Sequence, residues 1–216
     1  VDQFPQIPSA QQLAAIVKEQ LNSSISVMRQ VLDDPAIAST ITAAAEKTAA
    51  AMKAGRKLIV AGNGGSAADS QHLVAEFVSR LTIDRPALPA IALTVDTSIL
   101  TAIGNDYAYE NVFERQLEAL GREGDIFLAL STSGNSKNVI KGLHQARRMG
   151  LITIGFSGNG GGQMAALCDH SVVVPSSVTM HIQESHIALE HIFCMLVEKC
   201  YFGIEFGTRK PAVPAE

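Results

Sequence analysis

Five short apolar runs, each nearly unbroken by polar residues, constrain the fold of this chain more than any other feature. They are Lys57–Ala61, Ala90–Val95, Ile126–Leu130, Leu151–Phe156 and Ser171–Val174. A strand that does not alternate apolar with polar residues is buried on both faces. Helical stretches lie between most of these runs, at Ser66–Arg80, Tyr109–Leu120 and Asn135–Met149. Strand–helix–strand repetition implies right-handed crossovers and a parallel sheet. The pattern predicts an α/β fold: a three-layer α/β/α sandwich with a five-stranded parallel sheet, closed by a long helix from about Ile182 to Tyr201.

A helical hairpin is expected before the sheet. Ser9 and Gln12 have the spacing of a capping box, and Leu13, Ile16, Val17, Leu21 and Ile25 recur at helical intervals. Asp33-Asp34-Pro35 breaks that helix, and an alanine-rich second helix runs from about Ile37 to Ala54, where Gly55 stops it. A length of 216 residues suits one domain. Its expected parts are N-terminal helices over about 9–54, an α/β core over about 56–201 and a frayed tail over about 207–216, which holds two prolines.

Charge narrows the partners. Seventeen Lys and Arg against 21 Asp and Glu leave a net charge of −4 with no long basic run, which argues against nucleic acid and anionic membrane as partners. No apolar stretch approaches the roughly 18 residues of a membrane helix. Val1–Pro5 lacks the basic and apolar regions of a secretion signal, so none is expected. Cys168, Cys194 and Cys200 form no Cys-x-x-Cys pair and read as reduced thiols of a cytoplasmic protein. A mean hydropathy of +0.18 hints at apolar surface covered in an oligomer.

In open parallel sheets, ligands bind beyond the carboxyl ends of the strands. Gly62-Asn63-Gly64-Gly65-Ser66 follows the first run and opens a helix, where free N–H groups favour an anion. Gly62, Gly64 and Ala67 match a dinucleotide fingerprint. However, the next strand ends at Asp96, well past the roughly 20 residues expected for its acidic partner. A sugar phosphate is the better reading. Ser131-Thr132-Ser133-Gly134-Asn135-Ser136 carries four hydroxyls, more than one helix cap needs, and reads as a phosphate loop without lysine. Gly158–Gly162 reads as a turn, and Gly104-Asn105-Asp106 as a loop polar enough to touch a ligand, although a turn explains it equally well.

Two helices carry the candidate reactive side chains. His72 and Glu76, at i and i+4, share one face and suit metal ligation or acid–base work. The final helix holds Gln183, Glu184, His186, Glu190 and His191; spacing does not choose between His186 with Glu190 and Gln183 with His191.

Together these residues resemble the sugar isomerase (SIS) domain, and most closely its phosphoheptose isomerase branch. The likeness rests on Gly62–Ser66 with Gln71-His72 and Glu76, Asp84-Arg85-Pro86, Pro89–Leu93, Gly104-Asn105-Asp106, Glu123-Gly124-Asp125, Ser131–Ser136 and Ile182-Gln183-Glu184. The resemblance implies a cytoplasmic homotetramer with sites between subunits. It implies an enzyme that interconverts sedoheptulose 7-phosphate and D-glycero-D-manno-heptose 7-phosphate through an enediol(ate), for lipopolysaccharide or capsule heptose. By the same resemblance, Ser131, Thr132, Ser133 and Ser136, with Ser66, hold the phosphate. Asn63, Gly64, Gly65, Asn105 and Asp106 line the sugar site. One zinc ion per subunit sits on His72, Glu76, Gln183 and His191, with Glu76 and His191 as the acid–base pair and Glu76 and Gln183 also touching substrate. Two rivals share the fold: a non-catalytic binding protein that partners the bacterial replication initiator, and another phosphosugar isomerase or etherase. The first rival carries non-catalytic residues where Glu76 and His191 stand here.

Overall fold

The computed structural model describes residues 7–203. The expected frayed tail and the Val1–Pro5 segment lie outside those residues. Ser9 starts helix α1 (Ala10–Asp33) as its spacing predicts: its Oγ accepts from the Gln12 N–H, and its own N–H donates to Gln12 Oε1 at 2.8 Å. Asp34 ends α1 and begins α2 (Pro35–Lys53). Its carboxylate caps Ala36 N–H at 2.9 Å, with Pro35 in the first turn, where a missing N–H costs nothing.

The strands are β1 (Leu58–Ala61), β2 (Ala90–Ala92), β3 (Ile126–Ser131), β4 (Ile152–Ser157) and β5 (His170–Val173), all parallel in the order β2-β1-β3-β4-β5. The remaining helices are α3 (Gly65–Val78), α4 (Thr97–Asp106), α5 (Val112–Leu120), α6 (Lys137–Arg148) and α7 (Thr179–Phe202). Alternate strand residues feed two cores. Leu58, Val60, Ile126, Leu128, Ile154 and Phe156 pack with α2, α3 and α7, whereas Ile59, Ala61, Phe127 and Ala129 pack with α5 and α6. Every residue of β1 and β3 is buried, which is why their sequences lack alternation. The result is the three-layer α/β/α sandwich.

Chain direction across the sheet reverses between β1 and β3. The loops after these two strands therefore flank the switch point, where doubly wound sheets leave a crevice.

Two local expectations need correction. The second apolar run pairs only through Ala92, and the expected loop Gly104-Asn105-Asp106 is the last turn of α4. That helix starts because Asp96 caps Ile99 N–H at 2.9 Å. The apolar stripe of α1 behaves differently from an ordinary core face. Leu13, Ile16, Val17, Leu21 and Ile25 are all about half exposed or more, and only Val27 and Val31 of α1 are buried. No helix among the described residues is long and apolar enough to cross a membrane.

Candidate active site

The loop after β1 leaves the N-terminus of α3 open. Gly64 is its cap residue at φ 56°, with no side-chain hydrogen bond to the helix. Gly62 has no room for a side chain, since a Cβ there would lie 2.6 Å from the Ser66 carbonyl oxygen. Ser66 is itself buried in the first turn. Asn63 spans to the other loop. Its Nδ2 donates to Asn138 Oδ1, and Asn138 Nδ2 donates back to Asn63 Oδ1, both at 2.8 Å. The Tyr109 hydroxyl also donates to Asn63 Oδ1 at 3.0 Å. The two loops at the switch point are thus fastened together by a reciprocal amide pair.

The loop after β3 gathers its hydroxyls. Ser131 Oγ lies 3.0 Å from Ser136 Oγ and 3.4 Å from Ser133 Oγ. Ser136 begins α6 yet makes no side-chain cap, so the first-turn N–H groups are not covered by it. A cluster of neutral donors around an uncapped helix start favours an anion. The glycine segment after β4, expected to be only a turn, braces this loop. Gly158 N–H donates to the Thr132 carbonyl at 3.2 Å, and Met164 N–H to the Gly134 carbonyl at 3.0 Å. A Cβ at Gly134, which sits at φ 64°, would collide with the Gly161 carbonyl.

Helices α3 and α7 bring the reactive side chains together. His72 Nε2 lies 2.7 Å from His191 Nε2, with the rings nearly perpendicular. Glu76 Oε1 is 3.7 Å from His72 Nε2. One ligand atom from each of His72, Glu76 and His191 falls within 4.8 Å of the others. Two imidazoles and a carboxylate at this spacing are a donor set that suits a divalent transition-metal ion. Gln183 lies on the same side of α7, but its carboxamide is bonded to Asp69: Nε2 donates to both carboxylate oxygens, at 3.1 and 3.0 Å. Asn105 and Asp106 are exposed at the end of α4, where Asn105 Nδ2 donates to Asp106 Oδ1 at 2.8 Å.

The other pair on α7 turns inward. His186 and Glu190 are fully buried. His186 stands against the Phe156 ring, with Nε2 3.2 Å from the Ser157 carbonyl, and burial lowers its pKa to about 4. Burial first, and then the nearby Asp69 charge, raise Glu190 to about 8, and neither of its carboxyl oxygens has a hydrogen-bond partner. Asp69 is raised as well, chiefly by burial, while the Gln183 hydrogen bond and His72 act against the rise. Asp69 was missing from the sequence reading. It stands one turn before His72 on α3, and that shared face was the available signal.

The SIS domain family model matches residues 21–158. A phosphoheptose isomerase of Aneurinibacillus thermoaerophilus is 52% identical over 194 residues, which are 90% of this chain and 98% of that protein. One from Clostridium acetobutylicum is 50% identical and covers 87% of this chain and 95% of its own length. The solved phosphoheptose isomerase of Neisseria gonorrhoeae superposes with a TM-score of 0.80 at 39% identity, across 87% of this chain and 99% of that one. That of Francisella tularensis gives 0.83 at 31% identity, across 86% and 98%. The chain belongs to the SIS-domain family and, within it, to the phosphoheptose isomerases.

Proposed function

We propose that this chain is the aldose–ketose isomerase that converts sedoheptulose 7-phosphate to D-glycero-D-manno-heptose 7-phosphate, supplying heptose for lipopolysaccharide or capsule. The observation that carries the reading is the meeting of His72, Glu76 and His191, from two helices, within 4.8 Å. The hydroxyl loop Ser131–Ser136 holds the phosphate with neutral donors, helped by Ser66 and the open end of α3. Asn63, Gly64, Gly65, Asn105, Asp106 and Gln183 line the sugar.

The reaction moves a carbonyl from C2 to C1. Glu76 takes a proton from C1, giving an enediol(ate), and returns a proton to C2. His191 carries the proton that leaves the C1 oxygen to the C2 oxygen. His72, Glu76, Gln183 and His191 would hold one zinc ion per subunit; when bound it supplies Lewis-acid stabilisation of the oxygen on which negative charge develops.

The working form is a homotetramer in the cytoplasm. The half-exposed apolar stripe of α1 supports assembly, and three free cysteines support a reducing compartment. The rival reading as a non-catalytic partner of another protein is disfavoured by the presence of both Glu76 and His191.

The deciding experiment mixes purified protein with sedoheptulose 7-phosphate, with and without a chelator, and follows formation of the aldose heptose phosphate. Turnover that is lost on chelation and restored by zinc is the expected result. Turnover indifferent to the chelator would keep the isomerase and remove the metal. No turnover in either arm would overturn the assignment.

A further inference from the structure

Glutamine is an uncommon zinc ligand, and a free carboxamide can present either its oxygen or its nitrogen to a cation. Here the choice is fixed by a neighbour. The Asp69 carboxylate has only acceptors to offer, so the end of Gln183 that meets both its oxygens, at 3.1 and 3.0 Å, must be the NH2 group. The amide oxygen is then at the other end of the planar group, turned away from Asp69. Gly65 leaves room for this arrangement, because the Gln183 carboxamide occupies the space that a Cβ at residue 65 would need. Asp69 is only 4% exposed, so its hold on Gln183 is shielded from competing water.

We infer that Asp69 is a positioning residue for the metal site: it clamps the NH2 of Gln183, commits Oε1 as the donor atom, and makes that oxygen more basic by drawing on the amide N–H bonds. This rests on the zinc reading given above. The helix pair then works in two layers. Asp69 of α3 orients Gln183 of α7, and one turn further along α3, His72 meets His191. Gly65 belongs to the same device, since any side chain there would dislodge the carboxamide. A carboxylate that orients a ligand from behind is a common companion of metal sites, and its loss typically costs about 10- to 100-fold in metal affinity.

The Asp69 charge alone would also attract a cation, so the test must separate orientation from charge. A double-mutant cycle does this. Zinc dissociation constants are measured by competition with a chromogenic chelator for the wild-type protein, Asp69→Asn, Gln183→Ala and the double variant. Far-ultraviolet circular dichroism and melting of each metal-free protein are recorded alongside. Asp69→Asn should weaken zinc about 10- to 100-fold in the wild-type background and less than about threefold in the Gln183→Ala background. Gly65→Ala, whose Cβ would press on the same carboxamide, should match Gln183→Ala. An equal loss in both backgrounds would show that Asp69 acts as a bare charge and would overturn the inference, as would wild-type affinity in Asp69→Asn. His191→Ala controls for the site itself. Zinc affinity unchanged in that variant would sink the zinc reading, and a failure of the cycle with His191→Ala still deficient would sink only the role of Asp69.

Discussion

Arg85 Nε donates to Glu198 Oε1 at 2.8 Å, and both side chains are 1% exposed. The same guanidinium also reaches the carbonyls of Glu76 and Phe77, at 2.8 Å each. Arg85 therefore satisfies the C-terminal end of α3 while tying it to α7, next to Glu76, the proposed base. Removing one member of a buried ion pair strands the other and costs about 3–5 kcal/mol. Arg85→Ala should lower the melting temperature by roughly 10 °C, read by thermal unfolding. A shift of only a degree or two would mean that water takes over the role of the guanidinium.

Glu76→Gln keeps the shape of the side chain and removes its basicity. The variant should fold and retain binding of the phosphate group, while turnover falls by about 10²- to 10⁴-fold. Isomerisation followed by coupled assay, with ligand binding by calorimetry, checks both parts. Undiminished turnover would take Glu76 out of the mechanism.

In the proposed site Ser133 binds the phosphate, which is distant from the reacting carbons of the sugar. Ser133→Ala removes one neutral donor to a charged group, worth about 1.5–3 kcal/mol. KM should rise at least tenfold with kcat little changed. A loss confined to kcat would mean that the phosphate contact is made only in the transition state.

Stability should depend on pH through two buried groups of opposite sign. His186 is held at about 4 in the fold against an ordinary 6.5, so only the unfolded chain binds a proton between those values, and this contribution is lost as pH falls from 6.5 to 4. Glu190 is raised to about 8 from an ordinary 4.5. Its contribution is full below 4.5 and is lost as pH rises to about 8. The two offset each other between 4.5 and 6.5, and above 6.5 only Glu190 acts. Urea unfolding should show stability declining from pH 6.5 to 8 by about 1.4 kcal/mol per unit at most, and Glu190→Gln should flatten that decline. A flat wild-type profile would show that Glu190 does not titrate across this range.

The sheet was legible because a strand buried on both faces leaves an unbroken apolar run, as β1 and β3 do. The cap of α1 was legible because Ser9 and Gln12 are three residues apart and act locally. Helix α4 was hidden. Its Thr, Ile and Gly content favours a loop or strand, no residue in it is buried, and only the Asp96 cap signals its start. Within the site, His72 and Glu76 share a face that spacing reveals, but the choice along α7 depends on which way the helix is rolled. The fold rolls it so that His191 meets α3 while His186 and Glu190 enter the core. The Asp69–Gln183 contact joins positions 114 residues apart, and no local pattern reports such a pair.

His72 and His191 touch across 119 residues of sequence. A ribosome releases the first half of this cluster long before the second. During synthesis the growing chain can build β1 to β5 in order, each strand pairing with one already made, with β2 and β3 settling on either side of β1. The last helix to emerge then supplies the other imidazole and, through Phe193 and Val197, closes one of the two cores. A prematurely terminated product that lacks α7 would leave that core uncovered and would lack His191, so the same missing helix that exposes the core also removes half of the imidazole pair.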